Sequence, residues 1–304
     1  MLKMNKKPKG KLTDSRAGSP AEKQASNQDN NLIGNPGGNS NNNPKGNLSG
    51  GPAGGGNGSS SALSLYLIFV TSEFKRWVRE PLTRVMVAYP LIFGLIGRYL
   101  LPYIEENTGL VIALYADLIL VMLTLMMPLI FGILMGFAIL DDRDDNVLPA
   151  VKVTPLGLNK YFSFRIIMIF ICTILACLFV ILFSAIADLG TGRVISIAVL
   201  ASLAAPMTGL FINIFASNKI EGFAIFKGFG TLLFFPIIAL FFTDFKELFF
   251  AFAPGFFPAK AISSIIRGDE MMFLSYNQYI FWGWVYGIVL NLIAFRYFRK
   301  KRKV

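Results

Sequence analysis

Residues 110–140 read LVIALYADLILVMLTLMMPLIFGILMGFAIL, and the only charge in that run is Asp117, near its start. About 20 apolar residues are enough to cross the hydrocarbon core of a bilayer as a helix, so this stretch is long enough to span. It lacks the apolar–polar alternation of a barrel strand. In lipid a helix is then the conformation that pairs its own backbone groups. Five more apolar runs accompany it, at 83–103, 164–187, 194–216, 223–243 and 279–297. The expectation is an all-α integral membrane protein with six transmembrane helices and both termini on the same side.

The composition agrees with this. Apolar residues make up 54% of the 304 residues and charged residues 15%, against about 25% charged in soluble domains. The first 61 residues dilute the bias, being rich in Asn, Gly, Ser, Pro and Lys. Such a segment buries too little apolar surface to offset its ordering entropy. Residues 1–61 are therefore expected to be a disordered, low-complexity cytoplasmic tail, and 62–304 the membrane domain. The tail has no apolar core of the kind a signal peptide needs.

Several chemistries are excluded. With no histidine in the chain there is no Ser-His-Asp triad and no imidazole metal site. Cys172 and Cys177 lie in one apolar run, about 140° apart around a helix. They are read as small buried apolar side chains, and no cofactor or metal is expected. The net charge of +11 does not point to nucleic acid, because the cations flank the apolar runs. With the termini inside, 24 of the 29 Lys and Arg fall on the cytoplasmic side. The other five, Arg98, Arg193, Lys246, Lys260 and Arg267, fall outside. That asymmetry places both termini in the cytoplasm of a plasma-membrane protein.

Three stretches stand apart from the spans. Over 62–81, Leu63, Tyr66, Leu67, Val70, Phe74, Trp77 and Val78 recur at helical spacing, with Glu73, Arg76 and Arg79 on other faces. This predicts an amphipathic helix lying in the membrane interface, Trp77 at headgroup level; a helix packed on the soluble side is the alternative. Over 244–278 the chain is Phe-rich, and Pro254, Gly255 and Pro258 should break any helix. Two short helices dipping into the outer leaflet would fit, as would an extracellular cap. Over 141–160, the cluster Asp141, Asp142, Arg143, Asp144, Asp145 leaves the membrane, and an apolar piece through Val153 follows. Anchored at both ends by spans, it is a docking element for a cytoplasmic partner, or else a solvated acidic loop.

Polar groups within the spans are functional candidates by default. Arg98, Asp117 and Lys227 are read as anchors near the membrane faces, with Arg98 and Asp117 at depths too different to pair. Asn213 and Asn291 are expected to bond neighbouring helices.

Three of these pieces resemble the permease subunits of type-2 ATP-binding-cassette exporters. Glu73-Phe74-Lys75-Arg76-Trp77-Val78-Arg79-Glu80-Pro81 is similar to that family's interfacial helix. Asp141-Asp142-Arg143-Asp144-Asp145-Asn146, followed by Val153-Thr154-Pro155, is similar to its ATPase-coupling loop, with Asp at 142 and 144 where Glu is common. The proline-broken segment around Pro254, Gly255 and Pro258 resembles its outer re-entrant segment. The resemblance implies a transport subunit, not an enzyme. It implies a pathway formed with a second permease copy or paralogue, driven by a cytoplasmic ATPase that pushes on residues 141–155. No G-x-x-x-x-G-K-[ST] run, the phosphate-cradling loop of such ATPases, occurs in the chain. An ion-coupled secondary transporter is the alternative. A membrane enzyme would need carboxylates or a nucleophile at a shared depth, and none is apparent.

Overall fold

The computed structural model describes residues 70–153 and 157–301. The expected tail, the start of the first helix, and Thr154 and Pro155 of the coupling loop lie outside the described residues. A helix over 70–79, α1, leads through an extended Glu80 into the first span, α2 (Pro81–Thr108), which has proline in its first turn. Then come α3 (Ile112–Asp144), the six-residue α4 (Val147–Lys152), α5 (Gly157–Ser184), α6 (Thr191–Phe215) and α7 (Lys219–Ala239). A 3-10 turn (Phe245–Phe250), α8 (Phe256–Arg267) and α9 (Tyr276–Lys301) complete the order. Six helices, α2, α3, α5, α6, α7 and α9, are long and apolar enough to cross a membrane. These match the six runs read from the sequence.

The centre of the bundle is α3 against α6. Their most apolar stretches are 72% and 67% buried, against 17% for α2 and α9. Small residues explain this closeness. On α3, Gly132 and Gly136 lie four apart; on α6, so do Ala205 and Gly209. This spacing lets helix backbones approach in lipid, where van der Waals contact replaces the hydrophobic effect as the driving force. A Cβ on Gly132 would sit 2.6 Å from Thr208 Cβ and 2.7 Å from the Ala205 carbonyl oxygen. One on Gly209 would sit 2.9 Å from the Gly132 carbonyl. Asn213 reinforces the seam, its amide donating to the carbonyls of Gly136 (3.0 Å) and Gly209 (2.9 Å). Asn291 likewise ties α9 to Leu203 at 2.9 Å. Both asparagines thus bond neighbouring helices, as expected.

Two expectations need correcting. Trp77 is 4% exposed and packs in the same apolar cluster as Phe131, Tyr161 and Phe162. It faces the bundle, and Phe74 and Val78 are the exposed apolar residues of α1. The helical period was right, but a large aromatic could face either way, and the bundle offered more contact. Pro258 does not break the outer segment. It sits buried in the first turn of α8, where a missing N–H leaves no intrahelical bond unmade. Gly255, at φ +92°, makes the sharp turn that starts that helix.

Gly132→Ala is therefore expected to destabilise the bundle by about 1–3 kcal/mol, the range for overpacking a close-packed site. Gly228→Ala, where a Cβ meets open space, should not. Thermal unfolding of the two variants in detergent separates them.

Candidate functional site

At the end of the bundle where α2 begins, six charges converge from four helices and balance to zero. α1 contributes Glu73 and Arg76, the end of α3 Asp141 and Asp142, the start of α5 Arg165, and the start of α7 Lys219. Arg76 donates to Asp142 at 2.8 Å and to Asp141 at 3.1 Å. Lys219 reaches Asp141 at 3.0 Å. Arg165, 2% exposed, donates to Glu73 and is paired with Asp142, which also accepts from the Tyr161 hydroxyl. Burial works against the charge on Arg76, but Asp142, Glu73 and Asp141 outweigh it and raise the guanidinium above its ordinary pKa.

The geometry divides the residues that the sequence suggested for ATPase coupling in two. Asp141, Asp142 and Arg143 belong to the last turn of α3, and all three are engaged. Arg143 donates to the carbonyl of Ala216, just past α6, at 3.1 Å. Asp142 is 5% exposed, so this carboxylate of the cluster is turned into the bundle. A carboxylate leaves water only where cations meet it, and here two do. Asp144 and Asp145 are exposed. Val153, 86% exposed, and Val147 are the apolar residues that α4 and its end present outward, while Val151 is buried beneath them. Of the α1 residues singled out, Glu73, Arg76 and Trp77 face the bundle, and Arg79 is exposed.

A second balanced network lies at the opposite end. Lys260 of α8, fully buried, pairs with the fully buried Glu247 at 2.7 Å and also donates to the Phe242 carbonyl. The Tyr279 hydroxyl donates to the same carboxylate. Burial pulls the Lys260 ammonium below its usual pKa, and the bond to Glu247 opposes that pull. Arg267 pairs with Asp117 of α3 at 2.6 Å, and Ser263 donates to Asp117 at 3.0 Å. Asp117 thus finds its partner on α8 and not in Arg98. This network fastens the segment carrying Pro254, Gly255 and Pro258 to the bundle.

Sequence reasoning missed Tyr161, Arg165, Lys219, Glu247, Lys260 and Arg267 as members of these networks. One signal was available: Glu73, Arg76, Trp77 and Glu80 share a face of α1, and Tyr161 and Arg165 are four apart on α5. Mixed charge on the face that also carries the tryptophan marks a buried side. Among the described residues no group of three or more Cys, Asp or Glu could hold a metal.

Arg165→Met leaves Glu73 with no cation at hydrogen-bonding distance and removes one from Asp142. Breaking a buried pair typically costs about 3–5 kcal/mol, so thermal unfolding in detergent should show a large loss. The double variant Glu73→Gln/Arg165→Gln removes both charges and should recover much of it. Equal melting of Arg165→Met and the natural chain would show that the network contributes nothing.

The family model described as Fluoroquinolones export permease protein Rv2686c-like matches residues 73–295. The match begins at Glu73 and takes in every residue of both networks. Two proteins of Mycobacterium tuberculosis are each 29% identical over 240 residues, covering 77% of this chain and 93% of the relative. They are the fluoroquinolones export permease proteins MT2760, of strain CDC 1551, and Rv2686c, of strain H37Rv. No solved structure matches the chain. With six spans and a family match across most of its length, the chain is a multi-pass membrane protein that belongs to the Rv2686c-like family of fluoroquinolone export permeases.

Proposed function

We propose that this chain is the membrane-spanning subunit of an ATP-binding-cassette exporter. It moves amphiphilic compounds, fluoroquinolones among them, out of the cell. The pathway is shared with a second permease copy or paralogue, and a separate cytoplasmic ATPase supplies the energy. Both termini lie in the cytoplasm of the plasma membrane, as the distribution of Lys and Arg indicates.

The observation that carries this reading is the construction of α4. The helix is about 9 Å long at 1.5 Å per residue and is strung between α3 and α5. It has an acidic approach at Asp144 and Asp145 and apolar contacts at Val147 and Val153. These four exposed residues offer a partner both charge and apolar area. Thr154 and Pro155, outside the described residues, follow in sequence. One turn behind them, Asp141 and Asp142 tie the end of α3 to α1, α5 and α7. A push on α4 then falls on four helices held together by ion pairs and reaches them as one displacement. The chain's lack of a phosphate-binding loop and the relatives' printed role in export support the same division of labour.

The test is transport in inverted vesicles that hold the permease and its co-purifying ATPase. ATP should drive fluoroquinolone into the lumen. Asp144→Lys/Asp145→Lys should abolish transport and leave expression and thermal stability unchanged, because neither carboxylate belongs to the buried network. Unimpaired transport by that variant would overturn the docking role. Uptake driven by a proton gradient without ATP would replace the exporter with an ion-coupled carrier.

A further inference from the structure

Behind α4 lies a cavity of about 430 Å³, within the roughly 300–1,000 Å³ of small-molecule sites. The end of α3, α4, the start of α5, the end of α6 and the end of α9 enclose it. Its wall is divided by chemistry. Arg143, Lys152 and Lys301 bring three cations to it, and no acidic residue among the described residues lines it. Leu148, Leu158 and Phe298 supply an apolar face.

The cations are only partly engaged. Arg143 uses one guanidinium nitrogen on the Ala216 carbonyl. Lys301 donates to the carbonyl of Ile214, and Lys152 is exposed. A polar side chain also contributes to the wall. Asn213 lines the cavity and is 3% exposed. Its nitrogen donates to two carbonyls, which fixes the orientation of the amide. Its Oδ1 then accepts no hydrogen bond from the described residues. That oxygen has almost no accessible surface, so it polarises the wall behind the cavity without offering an occupant a contact.

We propose that this cavity binds an anionic amphiphile of the cytoplasmic leaflet, with its acidic group on Arg143, Lys152 and Lys301. Its apolar body lies on Leu148, Leu158 and Phe298. Basic pockets between helices at the cytoplasmic face are suited to anionic head groups. The leaflet rests on the orientation proposed above; the chemistry of the site does not. Two sources fit, an acidic phospholipid and a carboxylate drug. Because Leu148, Pro149 and Lys152 form both a wall of the cavity and part of α4, an occupant touches the helix to which the ATPase contact is assigned.

The purified, delipidated chain would be offered phosphatidylglycerol, with phosphatidylethanolamine as the zwitterionic control, and binding read by native mass spectrometry. Separately, the fluoroquinolone norfloxacin and its carboxyl methyl ester would be compared by fluorescence anisotropy. The variants are Lys152→Gln/Lys301→Gln, which removes two cations, and Ser217→Trp, which fills the mouth and keeps them. Lys152→Arg/Lys301→Arg serves as rescue, and thermal unfolding of each variant confirms a folded bundle. The expected result is that phosphatidylglycerol or norfloxacin binds, and that its control, the zwitterionic lipid or the methyl ester that lacks the free carboxylate, binds at least tenfold more weakly. Both disruptive variants should weaken the acid-bearing probe at least tenfold, and the arginine pair should restore it. If phosphatidylglycerol follows that pattern the natural occupant is a lipid; if norfloxacin follows it, a transported drug; if both do, one site serves the two. Binding unchanged in Ser217→Trp, or equal across all variants, overturns the proposal. Neither assay contains ATP or an ATPase, so failure of this site and failure of the exporter reading would be seen separately.

Discussion

A charge taken out of water must meet an opposite charge, and that constraint organises this molecule at both ends. Glu73, Asp141 and Asp142 against Arg76, Arg165 and Lys219 form a neutral set drawn from α1, α3, α5 and α7. Removing one member strands another in a region of low dielectric, so each helix end is held to the others. The second set, Asp117 and Glu247 against Lys260 and Arg267, holds α8 and the start of α3 in the same way. Buried pairs of this kind add little net stability compared with an apolar core. Their effect is on register, since an ion pair is satisfied at one offset of two helices and a leucine contact at many.

Between the two networks the bundle is held by shape. Gly132 and Gly136 of α3 bring it against Ala205 and Gly209 of α6, and the two asparagine amides bridge helices there. A bundle clamped at its ends and smoothly packed between them suits a subunit whose helices are displaced together. The six-residue α4 is placed where such a displacement would start. Behind it is the basic cavity, so a ligand there and a partner on the outer face of α4 would act on the same short element.

The peripheral helices complete this arrangement. α2 and α9 bury little of themselves within the chain. Their exposed faces, with Leu91, Leu95, Phe281 and Ile288 among the apolar residues, suit lipid or another apolar surface. Hydropathy treats α3 and α2 alike as spans. Burial separates one as the centre and the other as the rim.

The spans were legible because their cause is local. A run of about 20 apolar residues in lipid must pair its own backbone, whatever its neighbours do. Local causes also account for the correct expectation that Arg98 and Asp117 do not pair, since height along a helix follows from residue count, and for the asparagine bridges. The side to which a charge turns is different. Asp142 and Asp144 are two residues apart in one acidic run, yet one is buried among Arg76, Arg165 and Tyr161 and the other is exposed. Nothing nearby in the sequence distinguishes them, because the partners that bury Asp142 are separated from it by as many as 66 residues. The same holds for Trp77, which turned to the bundle, and for Lys260, which found Glu247. Sequence determined which segments cross the membrane; which charges hold them together depended on partners that only the folded chain brings within reach.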